Sequence, residues 1–384
     1  MRLQYPGLAA KEPPKPARWV TMGRVRLLSR FLAVLVAISS LGAMTPARAR
    51  PAPIGQDAYV LDSSYRGDFP DPSVLRVGSR WFAYSTTTAN LNLPVLVSTD
   101  LRHWTVAGPR DTTRPDALPL APAWAQTHMV GARRLAQIWA PTVVRLPSRK
   151  YAVVYTVRVS ATRMCISVAR SKYAGGPYVD NSTKPLLCPK RGVIDPSIYR
   201  EGKGTYLLYK TEDAARGKPT RLWSRRIGRA LRAFTAPKAH LLLRADPADW
   251  EHGVIEAPSM IRKNGRRYLF YSGNGWGSRG YSTGYAMCKS AIGPCIRPAG
   301  TKKKPHPERL LSSTHKLVGP GGASAFKDRV GRIRLAFHAW NAGATHYPQS
   351  DACRTKPAGC GQRRMHVALL RVGHKGLLKV RSAY

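Results

Sequence analysis

The chain has 384 residues, 63 of them Lys or Arg against 20 Asp or Glu, for a formal net charge of +43. A hydrophobic content of 43% is enough to bury a core, which excludes wholesale disorder, and the scattered 33 Gly and 31 Pro exclude a collagen-like repeat. The charge points to an acidic partner, and the shortage of acids makes every carboxylate in a structured motif a candidate for chemistry.

The first feature in chain order is the apolar run from Phe31 to Met44. Arg24, Arg26 and Arg30 precede it and Ala47-Arg48-Ala49 follows it. A basic flank, a short apolar segment and a small-x-small site read as a secretory signal peptide over residues 1–49, cleaved after Ala49. A membrane span needs about 20 apolar residues, more than this run supplies. The stretch before Met22 is long for a leader, so Met22 is a candidate true start. Cleavage removes eight basic residues and one acid, so a charge of +36 stays with the secreted protein. Residues 50–58 read as a linker and 59–384 as one domain.

Export disfavours an intracellular nucleic-acid role and permits disulfides. The six cysteines allow 15 connectivities. The sequence-local pairing is Cys165–Cys188, Cys288–Cys295 and Cys353–Cys360. Zinc is the competing use, but no C-x-x-C spacing or neighbouring His pair supports it.

Five segments of the remaining chain align with one another. They are DPSVLRVGSRWFAYST from Asp71, APTVVRLPSRKYAVVYT from Ala140, DPSIYREGKGTYLLYK from Asp195, APSMIRKNGRRYLFYSG from Ala257 and GASAFKDRVGRIRLAFHAW from Gly322. Each has a small turn, a short apolar strand, a basic turn and an aromatic-rich strand. The aligned hydroxyls are Ser73, Thr142, Ser197, Ser259 and Ser324. Alternating strands joined by such turns are β-hairpins, and helical periodicity is nearly absent. Five units, each with about four short strands, predict an all-β, single-domain, five-bladed β-propeller. A pair of β-sandwiches would not repeat one turn five times.

In a propeller the first strand of each blade lines the axis, and the residues before it ring one mouth. Three repeats carry an acid there, Asp71, Asp195 and Glu256, where the other two carry Trp139 and Gly322. A single Asp-Pro-Ser is an Asx-turn that starts a strand. Three acids converging on one axis are different, because like charges at short range separate proton affinities, as acid and base roles require. A pair of carboxylates flanking the scissile bond is the usual machinery of glycoside hydrolysis.

The motifs DFPDPS, IWAPTV, VIDPSIY, VIEAPSM and LAFHAW, with VLVSTDLRHWT and the GGPY and IGP turns, resemble glycoside hydrolase family 43 over nearly all of residues 60–384. The resemblance implies an inverting enzyme acting on arabinose- or xylose-containing polysaccharides. It implies Asp71 as general base, Glu256 as general acid and Asp195 as the pKa modulator that orients the acid. It also places a channel histidine at His338, as a substrate contact or beside a calcium ion, although a satisfied core histidine reads almost as well. No other cofactor is implied. Trp139 and Trp276 are candidate sugar-stacking residues, and Arg364 in GQRRMHV is a candidate sugar-hydroxyl ligand. Asp68 reads as a turn residue and Trp104 as blade packing.

The loop Asn274 to Tyr281 resembles arabinofuranosidases more than endo-acting members, which predicts exo release of L-arabinose from arabinan or arabinoxylan. β-Xylosidase and endo-arabinanase are the alternatives within the family. A non-catalytic sugar-binding propeller is the rival of another class. A nucleic-acid binder is suggested by charge alone, without a supporting motif. Retaining fructan-active relatives would start with a Trp-Met-Asn-Asp-Pro-like motif that is missing. The expected partners are a pentose polysaccharide and, through the basic surface, anionic wall polymers, with no membrane span.

Overall fold

A computed structural model describes residues 60–62, 64–109, 115–214, 217–299, 309–348 and 360–381. The signal peptide, Met22 and the linker of the sequence reading lie outside the described residues. Among the described residues there is no α-helix, and none is long and apolar enough to cross a membrane.

The strands form a five-bladed β-propeller. Blade 1 is built from Ser73–Val77, Arg80–Tyr84, Val95–Ser98 and Thr105–Ala107. Blade 2 has Ile138–Arg145, Tyr151–Ser160 and Arg163–Ser171. Blade 3 has Val193–Glu201, Gly204–Thr211, Arg221–Arg226 and His240–Arg244. Blade 4 has Ile255–Lys263, Arg266–Gly273, Ser282–Cys288 and Cys295–Ile296. In blade 5, Val318–Lys327, Ile333–Trp340 and Arg363–Val372 are joined by the first described strand, Val60–Asp62, which pairs with Arg363–Val372. The N-terminal and C-terminal strands of the described residues therefore share one sheet.

The core consists of wedges between neighbouring blades, which explains why the second strand of each blade is apolar on both faces. In blade 4, Tyr268 and Phe270 pack toward blade 5, while Leu269 and Tyr271 pack toward blade 3. In blade 1, Phe82 and Tyr84 face blade 2, and Trp81, Ala83 and the buried Trp104 face blade 5. The period-two alternation of strands assigns each residue to one wedge.

The aligned hydroxyls latch blade to blade. Thr142 Oγ1 donates to the Pro196 carbonyl at 2.9 Å, and Ser197 Oγ donates to the Pro258 carbonyl. Ser259 Oγ accepts the Ala325 amide at 2.9 Å, and Ser324 Oγ closes the ring onto the Pro72 carbonyl at 2.7 Å. Ser73 Oγ is buried without a partner.

Two of the expected disulfides, Cys165–Cys188 and Cys288–Cys295, are formed. Cys360 is also disulfide-bonded, and Cys353, assigned to it on sequence spacing, lies outside the described residues.

Candidate active site

The same backbone device opens every blade. Asp71, Ala140, Asp195, Ala257 and Gly322 all have positive φ, between 42° and 60°. Strand register breaks at this point in blades 2 to 5. Positive φ is uncommon outside glycine, and a bulge re-aims the side chains beside it. The structure refines the expected equivalence of the acids. Asp71 and Asp195 occupy the positive-φ position itself. Glu256 sits one residue earlier, level with Trp139 of blade 2 and Gly321 of blade 5. Blade 5 has no room for a side chain here: a Cβ on Gly322 would lie 2.6 Å from Asp71 Oδ1 and from His338 Nδ1.

A second ring of residues, near the end of each second strand, holds the turn of the next blade. The amide of Ala140 donates to Thr86 Oγ1 at 2.9 Å, and that of Asp195 to Thr156 Oγ1 at 3.0 Å. The amide of Gly322 donates to Ser272 Oγ at 2.9 Å, and that of Asp71 to His338 Nδ1 at 3.0 Å. The fifth member is Lys210, which carries only donors and cannot accept an amide. Asp195 Oδ2 accepts the Ala257 amide instead, at 2.9 Å. Lys210 Nζ turns to Glu256 Oε2 at 3.0 Å and Glu212 Oε1 at 3.2 Å.

The three expected carboxylates line one cavity of about 840 Å³ at the mouth of the axis, together with Asp68, Trp139, Lys210, Glu212, Trp276, Tyr347 and Arg363. Beneath Asp71 and Asp195 the axial channel continues between the inner strands of all five blades.

Asp71 has a cationic neighbour. Its Oδ2 accepts Thr86 Oγ1–H at 2.7 Å and lies 3.7 Å from Arg363 Nη1. Burial alone would raise the Asp71 carboxyl, but Arg363, His338 and the Thr86 hydrogen bond outweigh it and hold the group well below the usual carboxylate range. Asp195 goes the other way: burial and the adjacent Glu256 charge push it well above the ordinary value, against the pull of Lys210. Glu256 Oε1 accepts a 2.8 Å hydrogen bond from Tyr281 Oη, which also receives the Gly322 amide at 3.2 Å.

His338 is fully buried and lies behind Asp71 rather than among the cavity-lining residues. Its pKa is lowered by burial and by Arg363. Its Nδ1 stands 3.0 Å from the Asp71 amide nitrogen and 3.3 Å from Asp71 Oδ1, and its Nε2 is buried without a partner. Calcium takes six to eight oxygen ligands, and among the described residues no three His, Cys, Asp or Glu gather to hold a metal. Among the described residues, side chains alone do not supply such a ligand set beside His338.

Trp139 lines the cavity under the Arg158 guanidinium, 5.6 Å from its ring. Trp276 is 45% exposed at the rim and stacks on Trp340 at 6.0 Å. Asp68 accepts the Arg363 amide at 2.8 Å and Thr88 Oγ1–H at 2.9 Å, so it fastens the rim loops. The expected arginine is displaced by one residue. Arg363 lines the cavity, with its guanidinium 4.8 Å from the Trp276 ring and 5.3 Å from that of Tyr347, whereas Arg364 does not line it and has a buried, unpartnered Nε. A one-residue shift on a strand exchanges faces. Arg363 shares a face with Met365 and Val367, which pack on blade 1, the blade that carries Asp71.

Sequence reasoning missed Lys210, Glu212, Arg363 and Tyr281. Lys210 left a signal: at the positions level with it, the other blades carry Thr86, Thr156, Ser272 and His338, all able to accept a hydrogen bond.

The model of the family described as glycosyl hydrolases family 43 matches residues 64–362. The chain is 26% identical over 291 residues to extracellular endo-alpha-(1->5)-L-arabinanase 1 of Bacillus subtilis (strain 168), covering 73% of this chain and 82% of that one. It is 29% identical over 119 residues to an extracellular endo-alpha-(1->5)-L-arabinanase of Thermotoga petrophila, covering 28% and 22% of the two chains. The crystal structure of a thermostable family-43 glycoside hydrolase superposes with a TM-score of 0.65 at 23% identity, over 84% of this chain and 95% of that one. With a match across most of the propeller, the chain belongs to glycoside hydrolase family 43.

Proposed function

We propose that the protein is a secreted inverting hydrolase of α-L-arabinofuranosyl linkages in arabinan, with Asp71 as general base and Glu256 as general acid. The observation that carries this reading is the unequal treatment of three carboxylates around one cavity. Asp71 is held ionised by Arg363, His338 and Thr86, as a base must be. It takes a proton from a water molecule that attacks the anomeric carbon. Glu256 gives its proton to the departing oxygen on the opposite face of the sugar. Asp195 holds the Ala257 amide and thereby fixes the backbone that carries Glu256, while Tyr281 orients the carboxyl from the other side. Trp139 and Trp276 offer flat apolar faces to sugar rings on two sides of the cavity.

Arabinan is favoured as substrate by the names of the two curated relatives. Those names favour internal cleavage, whereas the Asn274 to Tyr281 loop favours exo release of arabinose, as expected from sequence. Linear α-1,5-arabinan separates the two modes, since arabinose as the first product indicates exo action and oligomers indicate endo action. No cleavage of arabinan alongside xylose release from xylan would overturn the substrate assignment. An NMR reading of the first product's anomer tests inversion. The mature charge of +36 supports retention on anionic wall polymers. Salt-sensitive binding to polygalacturonate is expected, and absent or salt-insensitive binding would overturn that part.

A further inference from the structure

We propose that Lys210 is a positioning residue for Glu256: it holds the carboxylate left when the acid has given up its proton, and it shares its charge with Glu212 so that the pair sets the upper pH limit of activity. The proposal rests on Glu256 being the general acid.

The geometry is specific to one blade junction. At the other four, a Thr, Ser or His accepts the amide of the next turn. A threonine or serine at position 210 could do the same for Ala257. Lysine instead forfeits that hydrogen bond, leaves Asp195 to make it, and places a cation 3.0 Å from the acid. The Lys210 side chain is 5% exposed, so its charge is little screened by solvent.

Three carboxylates face this ammonium: Glu256 from the inner strand of blade 4, Asp195 from the inner strand of blade 3, and Glu212 from just beyond its own strand. Asp213, next in the chain, points instead to Arg191 and Arg221. Tyr281 Oη caps the other oxygen of Glu256, and Asp71 with Arg363 lines the same cavity. Burial opposes the charge on Lys210, but the surrounding carboxylates outweigh it, so Lys210 stays a cation at any working pH.

A fixed cation here has two effects of opposite sign. It stabilises the charge that develops on Glu256 as the proton moves to the departing oxygen, an interaction stronger in the transition state than before it. It also makes the proton easier to lose to solvent, which shortens the pH range in which the acid is loaded. Glu212 moderates both. It lines the cavity, is 30% exposed, and keeps Lys210 paired when Glu256 is protonated.

The test compares K210M, K210R and E212Q with the wild type by kcat/KM against pH. The probe is a phenyl α-L-arabinofuranoside or α-1,5-arabino-oligoside, whose leaving group needs a proton. K210M should move the basic limb upward by roughly one pH unit and lower the maximal rate. K210R should restore the wild-type limb. E212Q, at a partly exposed position, should move the limb downward and carries the test alone if K210M does not fold. A basic limb that stays in place in E212Q and in folded K210M overturns the proposal. The reading beneath it is checked separately with E256Q on the phenyl glycoside and its 2,4-dinitrophenyl counterpart. Loss on the first with retention on the second supports Glu256 as the acid. Equal loss on both overturns that role, whatever Lys210 does.

Discussion

Two blade junctions do the electrical work of this site, and they differ in one residue class. At the junction of blades 5 and 1, the amide of Asp71 is held by His338, whose pKa is lowered by burial and Arg363, and the Asp71 carboxylate faces His338, Thr86 and Arg363. At the junction of blades 3 and 4, the holder is replaced by Lys210, and three acids crowd the same cation. The turn backbone is alike in both, with φ of 51° at Asp71 and at Ala257. The charge each acid meets is therefore set by what the neighbouring strand presents and not by the turn that carries it. Under the proposed roles, one repeated motif serves a base in one blade and an acid in another.

The largest effects should come from removing either member of the working pair. Asp71→Asn and Glu256→Gln are each expected to lower kcat on arabinan by about 10²–10⁴-fold, the usual worth of a positioned acid or base. They should differ on activated substrates, since a dinitrophenyl leaving group bypasses the acid but still needs the base. Equal rescue of both variants would break the distinction between the two junctions.

The next effect concerns space. Gly322→Ala adds a methyl group 2.6 Å from Asp71 Oδ1 and from His338, at a φ of 60°. The expected result is a displaced Asp71 and a loss approaching about 10²-fold in kcat, the scale of a 1 Å misplacement. Gly265→Ala also has positive φ but meets nothing within 4 Å, so it separates backbone strain from the clash.

Arg363→Met should change the pH profile more than the maximum. The Asp71 carboxyl is depressed in the folded enzyme, so its ionised form is present above that low value and is lost as pH falls through it. Without Arg363 the loss begins at higher pH. The acidic limb should move upward by about one unit or more while the basic limb stays. An unchanged acidic limb would mean that His338 and Thr86 suffice to keep Asp71 ionised.

The propeller was legible in the sequence because its regularities are periodic. Five turns recur 55 to 69 residues apart, and the second strands are apolar on both faces because both are buried. The carboxylates were legible because acids are scarce. Lys210 was legible in principle, as a lone donor in a column of acceptors, but only once the strands were aligned at their far ends. Arg363 was hidden by the Arg-Arg doublet, where a step of one residue decides between the cavity and the opposite face. Tyr281 and Glu212 lie in the connections after blade strands, where no period constrains a side chain's direction. Such residues reach the site through the third dimension alone.

The smallest predicted effect tests whether the second-strand ring is structural where it carries no charge. Thr156 is buried and accepts the Asp195 amide from the neighbouring blade. Thr156→Ala leaves that amide unpaired at the edge of the cavity, which should cost about 1–3 kcal/mol of stability, read as a lower melting temperature. The charges around Asp71, Asp195 and Glu256 are untouched, so both limbs of the pH profile should stay within a few tenths of a unit. Lys210→Met makes the opposite division, moving a limb whatever its stability. If Thr156→Ala moved a limb as far as Lys210→Met does, the proton affinities would follow from turn geometry, and the contrast between the two junctions would have to be rebuilt on backbone position instead of charge.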